Sequence, residues 1–173
     1  MDTDILIREA AKTDAEAMAE VVSSSWKTAY SELISEDDMK LFANVVRREE
    51  LFKSGFEKGK LTYVLFCGGT VKGVCSAESY KKEDFPDTAE IDQFYMAPSA
   101  IGKGLGSRLM EFVLKELSEK GFRQVILFVM EGNERAVHFY KRHGFRPDGF
   151  FTVCENLSRK NRGIRYVKTK FLS

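Results

Sequence analysis

The sequence predicts an α/β domain built on a mixed sheet, and three stretches carry that expectation. Residues 89–117, AEIDQFYMAPSAIGKGLGSRLMEFVLKEL, read as a strand, a glycine-rich turn and a helix. Residues 61–67 and 71–80 flank Gly68-Gly69-Thr70, the pattern of a β-hairpin and therefore of an antiparallel pair. Residues 124–130, QVILFVM, form an apolar run of strand length, which suits a central strand covered on both faces.

Taken in order, Ile5–Arg8 is a short first strand. Thr13-Asp14-Ala15-Glu16 then matches a capping box, with Thr13 as N-cap and Glu16 reaching back to it. Met18, Val22 and Trp26 follow four apart, with Val21 and Tyr30 beside them, predicting an amphipathic helix of about four turns. Ser35 and Asp38 repeat the cap signal, and Met39, Phe42, Val45 and Val46 continue at helical spacing to about Leu51, so one further helix is expected. Lys81–Asp87, with five charges and Pro86, reads as a solvated connection. Strand Ala89–Met96 stops at Ala97, because Pro98 has no N–H to give a ladder. From Gly104 the pattern turns helical, with Leu105, Leu109, Val113 and Leu117 on one face and the i,i+4 pairs Glu111–Lys115 and Glu116–Lys120 on the other. Gly121 stands where a C′ residue would. Asn133 caps a short helix that ends at Arg142-His143-Gly144. Phe150–Cys154 and Ile164–Phe171 are the last two strands, and Ser158–Gly163, SRKNRG, is a solvated basic turn between them.

Composition excludes several classes of function. A chain of 173 residues, 43% hydrophobic, supports one domain, 1–173, with a full core. With 27 basic against 26 acidic residues the net charge is +1, so no global field recruits nucleic acid or an anionic membrane. Cys67, Cys75 and Cys154 are odd in number and lack C-x-x-C spacing, and His138 and His143 are the only histidines, so neither a disulfide framework nor a metal site is expected. MDTDILIREA lacks the basic stretch and apolar run of a signal peptide, and no run approaches the roughly 20 apolar residues of a membrane span. A reduced, cytoplasmic protein is expected.

The chemistry concentrates in the glycine turn. At Gly102, Gly104 and Gly106 another molecule can approach the main chain, and the helix start that follows offers about four unpaired N–H groups and roughly half a positive charge. Such a turn binds pyrophosphate through its backbone. A P-loop is excluded, because Lys103 precedes Gly104 and no Lys-Ser or Lys-Thr follows the last glycine. A dinucleotide fingerprint is excluded as well, since Ser107 stands where its third glycine would be counted from Gly102.

Ile101-Gly102-Lys103-Gly104-Leu105-Gly106 resembles the acyl-CoA loop of the GNAT superfamily of N-acetyltransferases, Q/R-x-x-G-x-G/A, with Ile101 in place of the usual Gln or Arg. One strand further on, Asn133 to Phe145 is similar to a second signature of that family, N-x-x-A-x-x-(F/L)-Y-x-x-x-G-F, at Asn133, Ala136, Phe139, Tyr140, Gly144 and Phe145. Trp26 to Ile34, W-x-x-A-Y-x-x-L-I, is similar to the bend between the first two helices that walls the family's acceptor site. Tyr30 is the residue there that could touch substrate; Trp26 reads as core by its size.

The resemblance implies a twisted mixed sheet of six or seven strands, splayed after the fourth strand, with helices on both faces and acetyl-CoA, without metal, as co-substrate at the splay. It implies cofactor contacts at Phe94, Tyr95 and Met96, at Ile101, Gly102, Lys103, Gly104, Leu105, Gly106 and Ser107, and at Asn133 and Tyr140. A splay leaves strand backbone without a neighbour, so an amide-bearing pantetheine arm can complete the sheet. By the same resemblance Glu90 is the general base, with Asp92 two residues on, or ordered water, as rivals, and Tyr140 is the general acid. The activity implied is acetyl transfer to a primary amine, of a small molecule or a peptide, by direct attack on the thioester. A catalytically silent acyl-CoA sensor or regulatory module is the alternative, and a homodimer is admitted.

Overall fold

The computed structural model describes residues 4–169. Its strands are β1 Ile5–Glu9, β2 Leu61–Cys67, β3 Thr70–Ser79, β4 Thr88–Met96, β5 Gln124–Met130, β6 Arg146–Val153 and β7 Arg162–Thr169. Its α-helices are α1 Ala15–Ala29, α2 Glu36–Phe42, α3 Val45–Glu57, α4 Leu105–Glu119 and α5 Glu134–Arg142. The strands form one seven-stranded sheet in the order β1-β2-β3-β4-β5-β7-β6. It is mixed: β4 and β5 run parallel, and the other neighbours are antiparallel. The expected α/β class and strand number hold; of the expected last strand, residues 170 and 171 lie outside the described residues.

Helices cover both faces, as side-chain contacts show. Paired residues share a face and neighbours along a strand alternate. Tyr63 pairs with Cys75 and Cys75 with Phe94, while the Tyr63 ring meets Phe112 of α4, so Phe94 belongs to the α4 face. Tyr95, the next residue, meets Trp26 of α1 on the opposite face. Leu109, Val113 and Leu117 of α4 and Met18 and Val22 of α1 are fully buried between helix and sheet.

Three local expectations are corrected. Thr13 caps nothing: Lys12–Asp14 is a 3₁₀ turn, and the Asp14 carboxylate accepts from Ala11 N–H at 2.7 Å while Arg8 holds it from the strand side. The predicted second helix is two helices, because Asn44 leaves helical geometry and its side chain caps Arg47 N–H at 2.9 Å, starting α3 anew. On α4 the ion pair formed is Lys115–Glu119, at 3.7 Å.

The feature that positions a site is the separation of β4 from β5. β4 stays paired with β3 as far as Met96, but with β5 only over Thr88–Glu90. Beyond Glu90 and Ile126 the two parallel strands part, and β5 continues with β7 alone. The sheet therefore opens into a wedge at its middle, with Gln93–Met96 on one lip and Leu127–Met130 on the other.

Candidate active site

At the open end of the wedge β4 leads through a 3₁₀ turn, Pro98–Ala100, into the glycine turn. Gly102 and Gly104 adopt φ of 78° and 74°, which only glycine takes without strain, and a Cβ added to either would meet nothing within 4 Å. Ile101 N–H donates to the Pro98 carbonyl and Arg108 N–H to the Gly104 carbonyl, and the N–H groups of residues 102–107 between them make no such backbone bond at the start of α4. Gly106 does different work: a Cβ there would stand 3.4 Å from the Phe139 ring of α5. Ser107 is tied to the same helix by a 3.1 Å hydrogen bond to the His143 ring, a contact no sequence pattern announced. His143 is held below its ordinary value by burial, and so is poised to stay neutral in this bond.

Asn133 caps α5 as expected, accepting from Ala136 N–H at 3.2 Å. It is therefore occupied at the helix start, a structural role beside the cofactor contact the resemblance implied. From α5, Phe139 and Tyr140 reach to β4, with ring centroids 5.3 and 6.2 Å from Phe94. Burial pushes the Tyr140 hydroxyl well above its ordinary value, with Tyr30, Cys75 and Tyr95 adding to the effect. Tyr140 meets Phe94 on the α4 face of β4, and Tyr95, the next residue of the same strand, meets Trp26 on the α1 face, so the two phenols approach the β4 lip from opposite sides. Tyr30 is half-buried and its hydroxyl is likewise raised, first by burial and then by Tyr95.

Glu90 is the last β4 residue paired with β5, so it sits where the wedge begins. Burial is the main cause that raises its carboxyl above the usual range; Asp92 and Glu78 add to it and Lys60 opposes. Asp92 does not occupy the regular position two residues on. β4 bulges there, so that Ile91 pairs with Ala77 and Gln93 with Ser76, leaving Asp92 as the extra residue. Its carboxylate is taken up by the Lys60 ammonium and by the Ser76 hydroxyl at 3.1 Å. A cavity of about 710 Å³ opens on this side, lined by Phe52, Lys60, Ser76, Glu78 and Asp92 among others.

The far wall was not legible beforehand. Residues expected to be a solvated basic turn dock on the α1–α2 bend: Ser158 donates through N–H and Oγ to the Asp38 carboxylate, and Asn161 Nδ2 donates to the Leu33 carbonyl at 3.0 Å. Leu157 is buried behind them.

A wedge between parallel strands, a positive-φ glycine turn at its mouth and a phenol across it form one arrangement, and residues 18–145 match the family model described as the acetyltransferase (GNAT) family. The chain belongs to the GNAT acetyltransferase family. As a member it is an acyltransferase by class. It is 26% identical over 166 residues to a protein of Bacillus subtilis named "Putative phosphinothricin acetyltransferase YwnH", covering 93% of this chain and 96% of that one. It is 24% identical over 145 residues to a spermidine N(1)-acetyltransferase of Thermoplasma acidophilum, covering 83% and 89%. The crystal structure of the PaiA N-acetyltransferase of Thermoplasma acidophilum, in complex with coenzyme A, superposes with a TM-score of 0.80 at 21% identity over 96% of this chain and 99% of that one. The GNAT fold is thus shared along nearly the whole chain. Among the described residues no helix is long and apolar enough to cross a membrane.

Proposed function

We propose that this chain, residues 1–173 acting as one cytoplasmic domain, moves the acetyl group of acetyl-CoA to a primary amine by direct attack on the thioester. The observation that carries the reading is the wedge between β4 and β5 with the free N–H groups of residues 102–107 at its mouth. The residues fit the co-substrate. The N–H groups and the dipole of α4 suit a pyrophosphate, and the unpaired edge of Phe94, Tyr95 and Met96 suits the amides of a pantetheine arm. Acetyl-CoA supplies the activated acyl group.

The chain's own residues then divide the proton work. An acceptor amine near pH 7 is mostly ammonium and must lose a proton before it attacks. Glu90 is the base this geometry favours, because its carboxyl is raised and Asp92 is engaged by Lys60 and Ser76. Tyr140, its hydroxyl pushed up by burial, stays a phenol throughout and serves the departing sulfur as a hydrogen-bond donor more than as a full proton source. No covalent enzyme intermediate is required.

The test is thioester consumption with a panel of amines, together with thermal shifts by ligands. CoA should raise the melting temperature and ATP and NAD should not. Acetyl-CoA that binds tightly yet is consumed with no amine of the panel would overturn the reading.

A further inference from the structure

On the acceptor side of the wedge a cation stands without a counter-charge among the described residues. Arg48 of α3 lies half-buried, with its guanidinium carbon 4.9 Å from the centre of the Trp26 ring. Its Nε donates to the Phe42 carbonyl at 2.6 Å, but its Nη2 is buried with no hydrogen-bond partner. The ion pairs found among the described residues do not include Arg48. Burial holds the guanidinium below its ordinary value.

A second donor is stranded beside it. Trp26 is 8% exposed, its ring stacked on Phe42 at 5.4 Å and in contact with Tyr30 at 4.6 Å and Tyr95 at 6.5 Å; its Nε1 is buried without a well-formed hydrogen bond, the Tyr95 hydroxyl being the oxygen that faces it. A buried donor left unpaired costs about 1–3 kcal/mol, and more for a charged group. Two such donors, one of them cationic, flank Tyr30 and Tyr95 at the wedge. Among the described residues no carboxylate pairs with either donor.

We propose that Arg48, with the Trp26 indole N–H, is an oxyanion subsite of the acceptor pocket, so that the acceptor is an amine that also carries a carboxylate, of the amino-acid class. This rests on the acetyl-transfer reading and narrows it. A planar guanidinium with a free N–H suits a carboxylate, and the π face of Trp26 beneath it fixes its plane. Because Arg48 sits over the Trp26 ring and that ring meets Tyr95 on the β4 lip, a carboxylate held at Arg48 directs the amine of the same small molecule toward the wedge.

The test uses the full chain and matched acceptor pairs: α-amino acids and the corresponding amines that lack the carboxylate. The parent should prefer the carboxylate-bearing members by at least about tenfold in kcat/KM. Arg48→Gln should erase that preference by raising their KM at least about tenfold, Arg48→Lys should restore part of it, and Trp26→Phe should raise KM a few-fold. CoA affinity in each variant reports whether the fold is intact. Calorimetric binding of N-acetyl amino acids to the CoA complex gives a readout independent of turnover. Rapid turnover of plain amines with no advantage for the carboxylate, or equal losses on both members of each pair in Arg48→Gln, would overturn the subsite and leave acetyl transfer standing. Arg48-dependent carboxylate binding with no transfer to any amine would overturn acetyl transfer and leave the subsite standing.

Discussion

The two halves of the wedge are built in different ways. The half proposed for the cofactor comes from two short contiguous stretches, residues 94–107 and 133–145, and it offers mainly backbone: N–H groups at a helix start and an unpaired strand edge. The half proposed for the acceptor is assembled from α1, α2, α3, β4 and the β6–β7 loop, and it offers side chains. Its ties include Ser158 to Asp38, 120 residues apart, and Asn161 to Leu33, 128 residues apart. A site that grips its ligand by main chain needs only local conformation, which a single sequence encodes with glycine, proline and caps. A site that grips by side chains is fixed by tertiary contacts, and so can differ among relatives that share the fold.

The largest expected effect tests the backbone half. Gly104→Val puts a branched side chain at φ of 74° and at the mouth of the turn. Losing two or three charge-assisted hydrogen bonds, at about 1.5–3 kcal/mol each, predicts a fall in CoA affinity on the order of 10³-fold by titration calorimetry. The valine should also lower the melting temperature, since a β-branched residue is strained in this region. CoA binding that survives the substitution would show that the turn is only a corner of the fold, and the contrast between the halves would collapse.

Glu90 sits on the border between the halves. Glu90→Gln keeps the shape and removes the proposed base, so kcat should fall by about 10²-fold with little change in CoA affinity. The sign of the pH effect follows from its environment. A carboxyl raised by burial is protonated at a higher pH than usual, so the active base is lost as pH falls through that raised value, and the acid limb of kcat/KM should lie above the ordinary carboxylate range. Asp92→Asn removes a like charge and releases Lys60, and both changes should move that limb downward. A limb that stays in place would take Glu90 out of the proton path.

Tyr140→Phe is smaller again. The ring contacts with Phe94 and Phe145 remain and only the hydroxyl is lost, which predicts about a tenfold loss in kcat with an unchanged melting temperature. Stability lost in proportion to activity would make Tyr140 a packing residue.

How much was legible follows the same division. The glycine turn, the Asn133 cap, the hairpin and the strand ending before Pro98 are written in local conformation, and the structure has them within a residue or so of where the pattern puts them. The break between α2 and α3 was missed because Val45 and Val46 keep helical spacing across Asn44, and apolar spacing outweighed a cap signal. The bulge at Asp92 was missed because nothing in β4 alone marks it; it follows from how β4 registers on β3. Trp26 was read as core by size, which its burial supports, while the Arg48 guanidinium over its ring is a contact between α1 and α3 that neither helix announces alone. Residues 158–163 looked solvated by charge, yet the docking groups are the uncharged Ser158 and Asn161.

The smallest effect tests whether the halves are separable. Asp38 is 7% exposed and accepts from Ser158 Oγ at 2.6 Å, from Ser158 N–H at 3.1 Å and from Ser35 Oγ at 2.7 Å, which pins the β6–β7 loop to the α1–α2 bend. Asp38→Asn keeps the volume but turns one acceptor oxygen into a donor facing donors, so the loop should loosen. The expected result is a melting temperature lower by a few degrees and a few-fold higher KM for the acceptor, with CoA affinity as in the parent. Hydrogen bonds from Ser158 and Ser35 hold the Asp38 carboxyl below its ordinary value. A depressed carboxyl contributes stability that is present above the unfolded-state value and is lost as pH falls through the folded-state value. The parent should therefore lose stability on acidification over that window, and Asp38→Asn should flatten the curve there, which distinguishes loss of this contact from general damage. A variant whose CoA affinity falls as far as its acceptor KM rises would show that the loop braces the whole wedge, and that backbone grip and side-chain grip are not independent in this fold.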